Sequence, residues 1–202
     1  MRIKASGSFR RYYYEGPALD DAEVLNHLAR LRFRSIDHAH DAAVGAGWVT
    51  LRSPVDTHFD GDVWHGTHAC FAVRIDRKRL PKNALKVRLL ERLMVEKGKL
   101  NPQRKREIKD EILAELMPRL VPATSWHQVL WDRKHGVVYF ASTSEEDNRQ
   151  FLSLFRESFD AALLPLLPAM LAERVPLPPM MKGRLTTLVP TSLIEAAQET
   201  AA

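Results

Sequence analysis

The sequence predicts an α+β protein with helices on one side of mostly antiparallel sheet. Two observations predict it. Strand-like and helix-like stretches follow in the order strand, helix, strand, strand, helical hairpin, strand, strand, helix, extended strand, and a β-hairpin signal stands after Pro122. Hydrophobic residues at 45% and charged residues at 27% of 202 supply the composition of an ordinary globular core.

The run Ile3 to Glu15, with Phe9, Tyr12, Tyr13 and Tyr14, suits a first strand and stops at Gly16-Pro17. Asp20 and Asp21 supply an N-cap and first-turn acidity for a helix through Val24, Leu25, Leu28 and Leu31, ending near Phe33. Residues 34 to 46 carry no periodicity. Gly47 to Leu51 is a short strand, residues 52 to 62 read as loop, and Ala69 to Arg77 alternates through Phe71, Val73 and Ile75 as the next strand.

Pro81 then fits the first turn of a helix with Leu85, Leu89, Leu90, Leu93 and Met94 on one apolar stripe. Gly98 closes it, and Asn101-Pro102 opens a second helix with Ile108, Ile112, Leu113 and Leu116 facing a common core. Trp126 to Asp132 and Val137 to Ser142 form a β-hairpin around Gly136. Ser144 and Asp147 start a helix through Phe151, Leu152, Phe155 and Phe159, Leu163 to Pro168 is an edge strand or extended piece, and a proline-dotted tail finishes the chain. The expected organisation is two ferredoxin-like halves, 1–80 and 121–175, joined by a projecting basic helical hairpin, 81–120, with a tail at 176–202.

Charge is unevenly placed. The net +5 comes from 30 Lys and Arg against 25 Asp and Glu, yet residues 74 to 109 hold 14 basic and 4 acidic residues, a local +10. The remainder, 16 basic against 21 acidic, is −5. Such concentration is the footprint of a surface that meets a phosphate backbone, and its plain alternative is a solvated helical face. Lys82, Lys86 and Arg92 decorate the first hairpin helix, and Arg104, Lys105, Arg106 and Lys109 start the second. Stacking aromatics are absent from residues 74 to 109, which favours duplex over single strands.

Several classes are set aside. One cysteine, Cys70, excludes an internal disulfide and every multi-cysteine zinc module, and a reducing cytoplasm fits it best. No run reaches the roughly 18 apolar residues of a membrane span, and the first residues lack a signal-peptide core, so the expectation is a protein that is neither exported nor membrane-bound. His58, His65, His68 and Cys70, with Asp56, Asp60 and Asp62, match no established zinc signature and read as loop residues; no metal and no cofactor are expected. Phosphate-binding, dinucleotide, zinc-protease and nucleophile-elbow motifs are missing, Cys70 reads as packing, and Glu145-Glu146-Asp147 reads as charge complementing a helix dipole. Catalysis is not expected.

The run Lys109 to Ile112 with Leu113, Leu116, Met117, Pro118 and Arg119, then Trp131-Asp132, Gly136, Ala141-Ser142 and Leu163 with Pro165, resembles the bacterial recombination-associated RdgC family. Gly47-Trp48-Val49, Thr57-His58 and Leu80-Pro81 occur in the same order, and the resemblance covers about residues 8 to 168. It implies a non-enzymatic, nucleoid-associated protein that binds double-stranded DNA without strong sequence preference, dimerises into a ring around it and restrains a recombinase. Family members run further at the C-terminus, so this sequence is expected as a short variant whose oligomer is open or differently assembled. The family's basic character carries over to Lys78, Arg79, Lys82, Lys86, Arg104, Lys105, Arg106 and Lys109. Two other functions compete, an interaction module gripping an acidic protein and a metal-dependent nuclease using His65 and His68.

Overall fold

Thirteen helices and strands follow in chain order in the computed structural model, which describes residues 7–37, 42–95, 101–174 and 178–185. They are β1 (Arg10–Glu15), α1 (Asp21–Arg30), β2 (Val44–Val49), β3 (Trp64–His65), β4 (His68–Arg77), α2 (Lys82–Val95), α3 (Pro102–Leu116), β5 (Ala123–Asp132), β6 (Val137–Phe140), α4 (Glu145–Phe159), β7 (Ala162–Pro165), α5 (Pro168–Arg174) and α6 (Pro179–Leu185). The chain divides into a unit of residues 1–164 and a smaller one of residues 165–202. The α+β class holds.

Local chemistry sets the helix starts. Asp20 accepts from the Glu23 N–H at 2.8 Å while the Glu23 carboxylate accepts from the Asp20 N–H at 2.7 Å, a reciprocal capping box that opens α1. Ser144 caps α4 and Asn101 caps α3, where Pro102 occupies the first turn. The loop after α3 closes with a 3₁₀ turn at Met117–Arg119.

The strands expected in two ferredoxin-like halves belong instead to one sheet of order β2-β4-β5-β6-β1-β7, with β3 paired to β4. β4 and β5 pair antiparallel over ten positions, from His68 opposite Asp132 to Arg77 opposite Ala123, which fuses the halves along their longest edge. β1 pairs with β6 from the other half, and neither contact is readable from neighbouring residues.

Alternation gives the sheet two faces. Tyr12, Trp48, Phe71, Val73, Ile75, Val129, Trp131, Val138 and Phe140 point to α1 and α4 and are buried there with Val24, Leu28, Phe151, Phe155 and Phe159. Trp48 stands near the centre of this layer, edge-on to Phe71 at 5.1 Å and Phe155 at 6.2 Å, with its indole N–H donating to Ser158 Oγ at 2.7 Å. Phe140 stacks on Phe151 at 4.2 Å. The opposite face is discussed below.

The stretch after α1 is less free than its composition suggests. Residues 31–33 run parallel beside β2, with the Trp48 N–H donating to Leu31 O at 3.0 Å and the Phe33 N–H to Trp48 O at 2.9 Å. A Cβ on Gly47 would lie 2.3 Å from Phe33 Cα, so only glycine permits this approach. His38, His40 and Asp41 lie outside the described residues, as do residues 3–6 of the first predicted strand and Gly98.

Two further expectations change. α2 and α3 pack on each other, and none of their residues belongs to the main core. On α2 only Leu85, Leu89 and Leu93 are half-buried, while Leu90 and Met94 join Val87 on the exposed side. Positions 87, 90 and 94 follow an i, i+3, i+7 row distinct from 85, 89 and 93, so the five predicted stripe residues split between two rows. The proline-dotted tail contains α6, and α5 stands just before it, each beginning at a proline whose missing N–H is no loss in a first turn. No helix among the described residues is long and apolar enough to cross a membrane.

Candidate nucleic-acid interface

The helical hairpin is an insertion between two adjacent strands. β4 ends at Arg77 and β5 begins at its partner Ala123, so both ends of the insertion are pinned at one end of the sheet. Within it Ile108 and Ile112 of α3 are 1% and 3% exposed, and α3 packs on α2, with Ile112 and Leu116 bordering the same groove as Arg92 and Val95.

Helical spacing sorts the charges of α3 around that buried pair. Lys105 and Lys109, four apart, lie on one flank, with Arg106 beside them. Glu107 and Glu111 lie on the other, where Arg104 bonds both, at 3.3 and 3.1 Å. Arg92 of α2 reaches across to Glu115 at 3.2 Å on this same acidic side. Lys86 falls on the opposite flank of α2 from Arg92. One edge of the hairpin is closed by ion pairs. Away from it Lys86, Lys105 and Lys109 are exposed and without an ion pair among the described residues, as are Lys82 and Arg106.

The remaining predicted contacts sit at the root. Lys78 is 5% exposed, with its ammonium donating to Asp37 O at 2.9 Å and its backbone N–H to Ala43 O at 2.8 Å, so it is committed to the fold. Arg79 is exposed but donates to Glu146 Oε2 at 2.7 Å. The structure thus leaves Lys86, Lys105 and Lys109 exposed and without an ion pair among the described residues, spends Arg92 and Arg104 on carboxylates, and places Lys78 inside.

Sequence reasoning missed what anchors the root. Arg77, nearly buried, is held by Glu146 Oε1 at 3.0 Å and Asp147 Oδ1 at 2.8 Å, and His127 Nε2 lies 3.1 Å from the other oxygen of Asp147. Ser142 Oγ adds a hydrogen bond to that oxygen at 3.2 Å. Glu145 pairs with Arg10, whose hydrogen bond holds the Glu145 carboxyl below its ordinary range. The acidic start of α4 complements its helix dipole, as the sequence suggested, and also clamps the base of the hairpin. The only available signal was the density of acids at 145–147 opposite that of cations at 77–79.

The histidine cluster is scattered. His58 is exposed and leans on Asp56 at 3.3 Å, Asp62 pairs with Arg52, and His68 lies 3.7 Å from Asp132. His58, His65, Asp56, Asp60, Asp62 and Cys70 border one cavity of about 100 Å³. No three His, Cys, Asp or Glu side chains among the described residues converge on a point that would hold a metal ion. Cys70 is buried, and burial pushes its thiol up to about 11, away from nucleophilic reactivity.

No curated protein matches the chain. A family model described as "Putative exonuclease, RdgC" matches residues 9–176, most of the 202. With the strand-inserted basic hairpin inside the matched stretch, the chain belongs to the RdgC family, one of recombination-associated DNA-binding proteins.

Proposed function

We propose that this protein binds double-stranded DNA through phosphate contacts from one edge of the helical hairpin, without cleaving it, and as a homodimer modulates recombinase-driven strand exchange at the nucleoid. The observation that carries this reading is electrostatic. α1 and α4 open with acids, Asp21 and Glu23 in one and Glu145 to Asp147 in the other, as the helix dipole favours. α2 and α3 have no acid in their first turns and open instead with Lys82 and with Arg104, Lys105 and Arg106. A cation there runs against the dipole by about 0.3–1 kcal/mol, a cost that a bound polyanion offsets. Phosphate contacts position a duplex without reading it, which supports weak sequence preference.

The family description keeps a nuclease as the second reading. Both are tested by incubating purified protein with end-labelled duplex and single-stranded DNA, with and without magnesium or manganese, and resolving complexes on native gels and products on denaturing gels. Shifted, intact DNA in every lane supports binding alone. Metal-dependent shortening that disappears in a His65→Ala, His68→Ala variant overturns it. Sedimentation equilibrium at micromolar concentration tests the dimer, and a monomer refutes that part.

A further inference from the structure

The face of the sheet opposite α1 and α4 holds features that duplex binding at the hairpin leaves unused. Its residues follow from the strand register: Cys70, Leu130, Tyr139 and Arg11 form one row, Ala72 and Gln128 the next, Arg74 and Trp126 the one after. Phe9, just before β1, lines two adjoining hollows on this face. One, of about 260 Å³, is walled almost wholly by apolar groups including Leu130 and Tyr139; the other, of about 330 Å³, is bounded by Trp126 and Ala141, and Gln128 belongs to both.

Three observations point to a ligand here. The buried aromatic side chains of the helix-covered face each engage another ring, whereas Phe9 and Tyr139 have no ring or cation partner among the described residues, and Trp126 packs against Phe33, Val49 and Ala72 without a ring pairing. Trp126 Nε1 and Gln128 Oε1 are buried, a donor and an acceptor on one patch, and neither has a hydrogen-bond partner. A free cation is also at hand. Asp76 is consumed by a bidentate pair with Arg74 at 2.9 and 2.7 Å, Asp132 is held by His135 and His68, and Arg11 at the end of the Tyr139 row is exposed with no partner among the described residues.

We infer that this face is a binding platform for unstacked bases of single-stranded DNA. Phe9 and Tyr139 offer π-faces, the Trp126 N–H and Gln128 Oε1 pair with a base edge, and Arg11 meets the backbone. Flat rings beside an unpaired donor and acceptor match a nucleobase, which has a π-face and a hydrogen-bonding edge, and a duplex hides both. The platform rests on the reading of the protein as a DNA binder, but it shares no residue with the hairpin edge.

The test titrates full-length protein into a 15-mer of thymidine carrying one central 2-aminopurine, and separately into a labelled blunt duplex. Wild type should quench 2-aminopurine on binding. The Phe9→Ala, Tyr139→Ala variant should lose the quenching and bind the single strand about 10- to 100-fold more weakly while keeping wild-type duplex affinity, which also shows that it folds. Trp126→Phe, which keeps the ring and removes the N–H, should retain quenching with weaker binding. Equal single-strand affinity in wild type and the Phe9, Tyr139 variant sinks the platform and leaves the hairpin reading standing. Quenched single-strand binding with no duplex binding does the reverse, and absence of both refutes both.

Discussion

Only cations without a carboxylate partner should govern how salt weakens duplex binding. Five are exposed and unpaired among the described residues of the hairpin, Lys82, Lys86, Lys105, Arg106 and Lys109. If each meets one phosphate, released counterions give a log-log slope of about −4.5, or about a 500-fold loss of affinity between 50 and 200 mM salt. Replacing Lys105, Arg106 and Lys109 by Ala leaves two contacts, a slope of about −1.8 and about a 12-fold loss over the same range. The control removes a paired cation with its partner, Arg88→Ala with Glu91→Ala, a pair at 3.2 Å. It leaves net charge unaltered, and the slope should stay within about 0.5 of wild type. Fluorescence anisotropy with a labelled 20-base-pair duplex at four salt concentrations measures all three. Ile108 and Ile112 are untouched in the triple variant, so it should unfold near the wild-type temperature. A triple variant with the wild-type slope, or a control that flattens it as far, refutes the assignment of the open hairpin edge.

Gly47→Ala forces the 31–33 segment off β2, costing two backbone hydrogen bonds and part of the burial of Phe33, about 2–4 kcal/mol in urea unfolding followed by tryptophan fluorescence; a change under about 0.5 kcal/mol would show that the close approach relaxes freely. Arg77→Ala leaves Asp147 and Glu146 without their nearly buried partner and should cost about 3 kcal/mol by the same assay, while Arg79→Ala, at an exposed pair, should cost under about 1. Glu145 and Asp56 both titrate below their ordinary values, the first through Arg10 and the second through the His58 backbone N–H. Carboxylates depressed in this way contribute stability that is present above their unfolded values of 4.5 and 3.8 and is lost as pH falls through the folded ones. The melting temperature should therefore drop on acidification below about pH 4.5, and Arg10→Ala should make that drop shallower; an unchanged slope in the variant removes this pair from the account. With its thiol near 11 against an ordinary 9.0, Cys70 should react with a disulfide reagent at pH 8 about 100-fold more slowly in native than in urea-unfolded protein, and equal rates would contradict its burial.

What the sequence made legible was local. The caps at Asp20, Asn101 and Ser144 follow from side chains that reach their own first turns, and the β5–β6 hairpin follows from Gly136, which adopts φ +64 in its turn. The single sheet was not legible, because seating β1 between β6 and β7 depends on residues more than a hundred positions apart. The charge of the hairpin was countable, but its one-sidedness was not. Arg104 looks the same in sequence as Lys105, and only the turn of the helix gives it Glu107 and Glu111. Lys78 belongs to the same basic run as Arg79, yet the neighbouring Asp37 and Ala43 carbonyls hold it inward. The open platform escaped notice because Phe9, Trp126 and Tyr139 lie on three separate strands or their approaches.

The separation of the hairpin from the main core explains how so much like charge is tolerated. Residues 81–120 hold 11 basic and 6 acidic residues, and their five net positive charges inside the Trp48 and Phe155 layer would require desolvation that no burial of side chains offsets. Carried on a two-helix insertion, they remain in water, and the stability of the sheet does not depend on their repulsion. The insertion must still be held in a defined direction if it is to meet a rigid duplex with several residues at once. Its two ends supply this, since they leave and rejoin the sheet at paired positions 77 and 123, and Arg77 is gripped there by Glu146 and Asp147 of α4. The same carboxylates that favour the start of α4 thereby orient the hairpin. With Arg92 and Arg104 closing one edge against Glu115, Glu107 and Glu111, a polyanion approaching that edge meets compensated charge. On the opposite flank of α3 it meets Lys105 and Lys109 uncompensated, so on the proposed reading the ion pairs of the hairpin set the side that faces DNA.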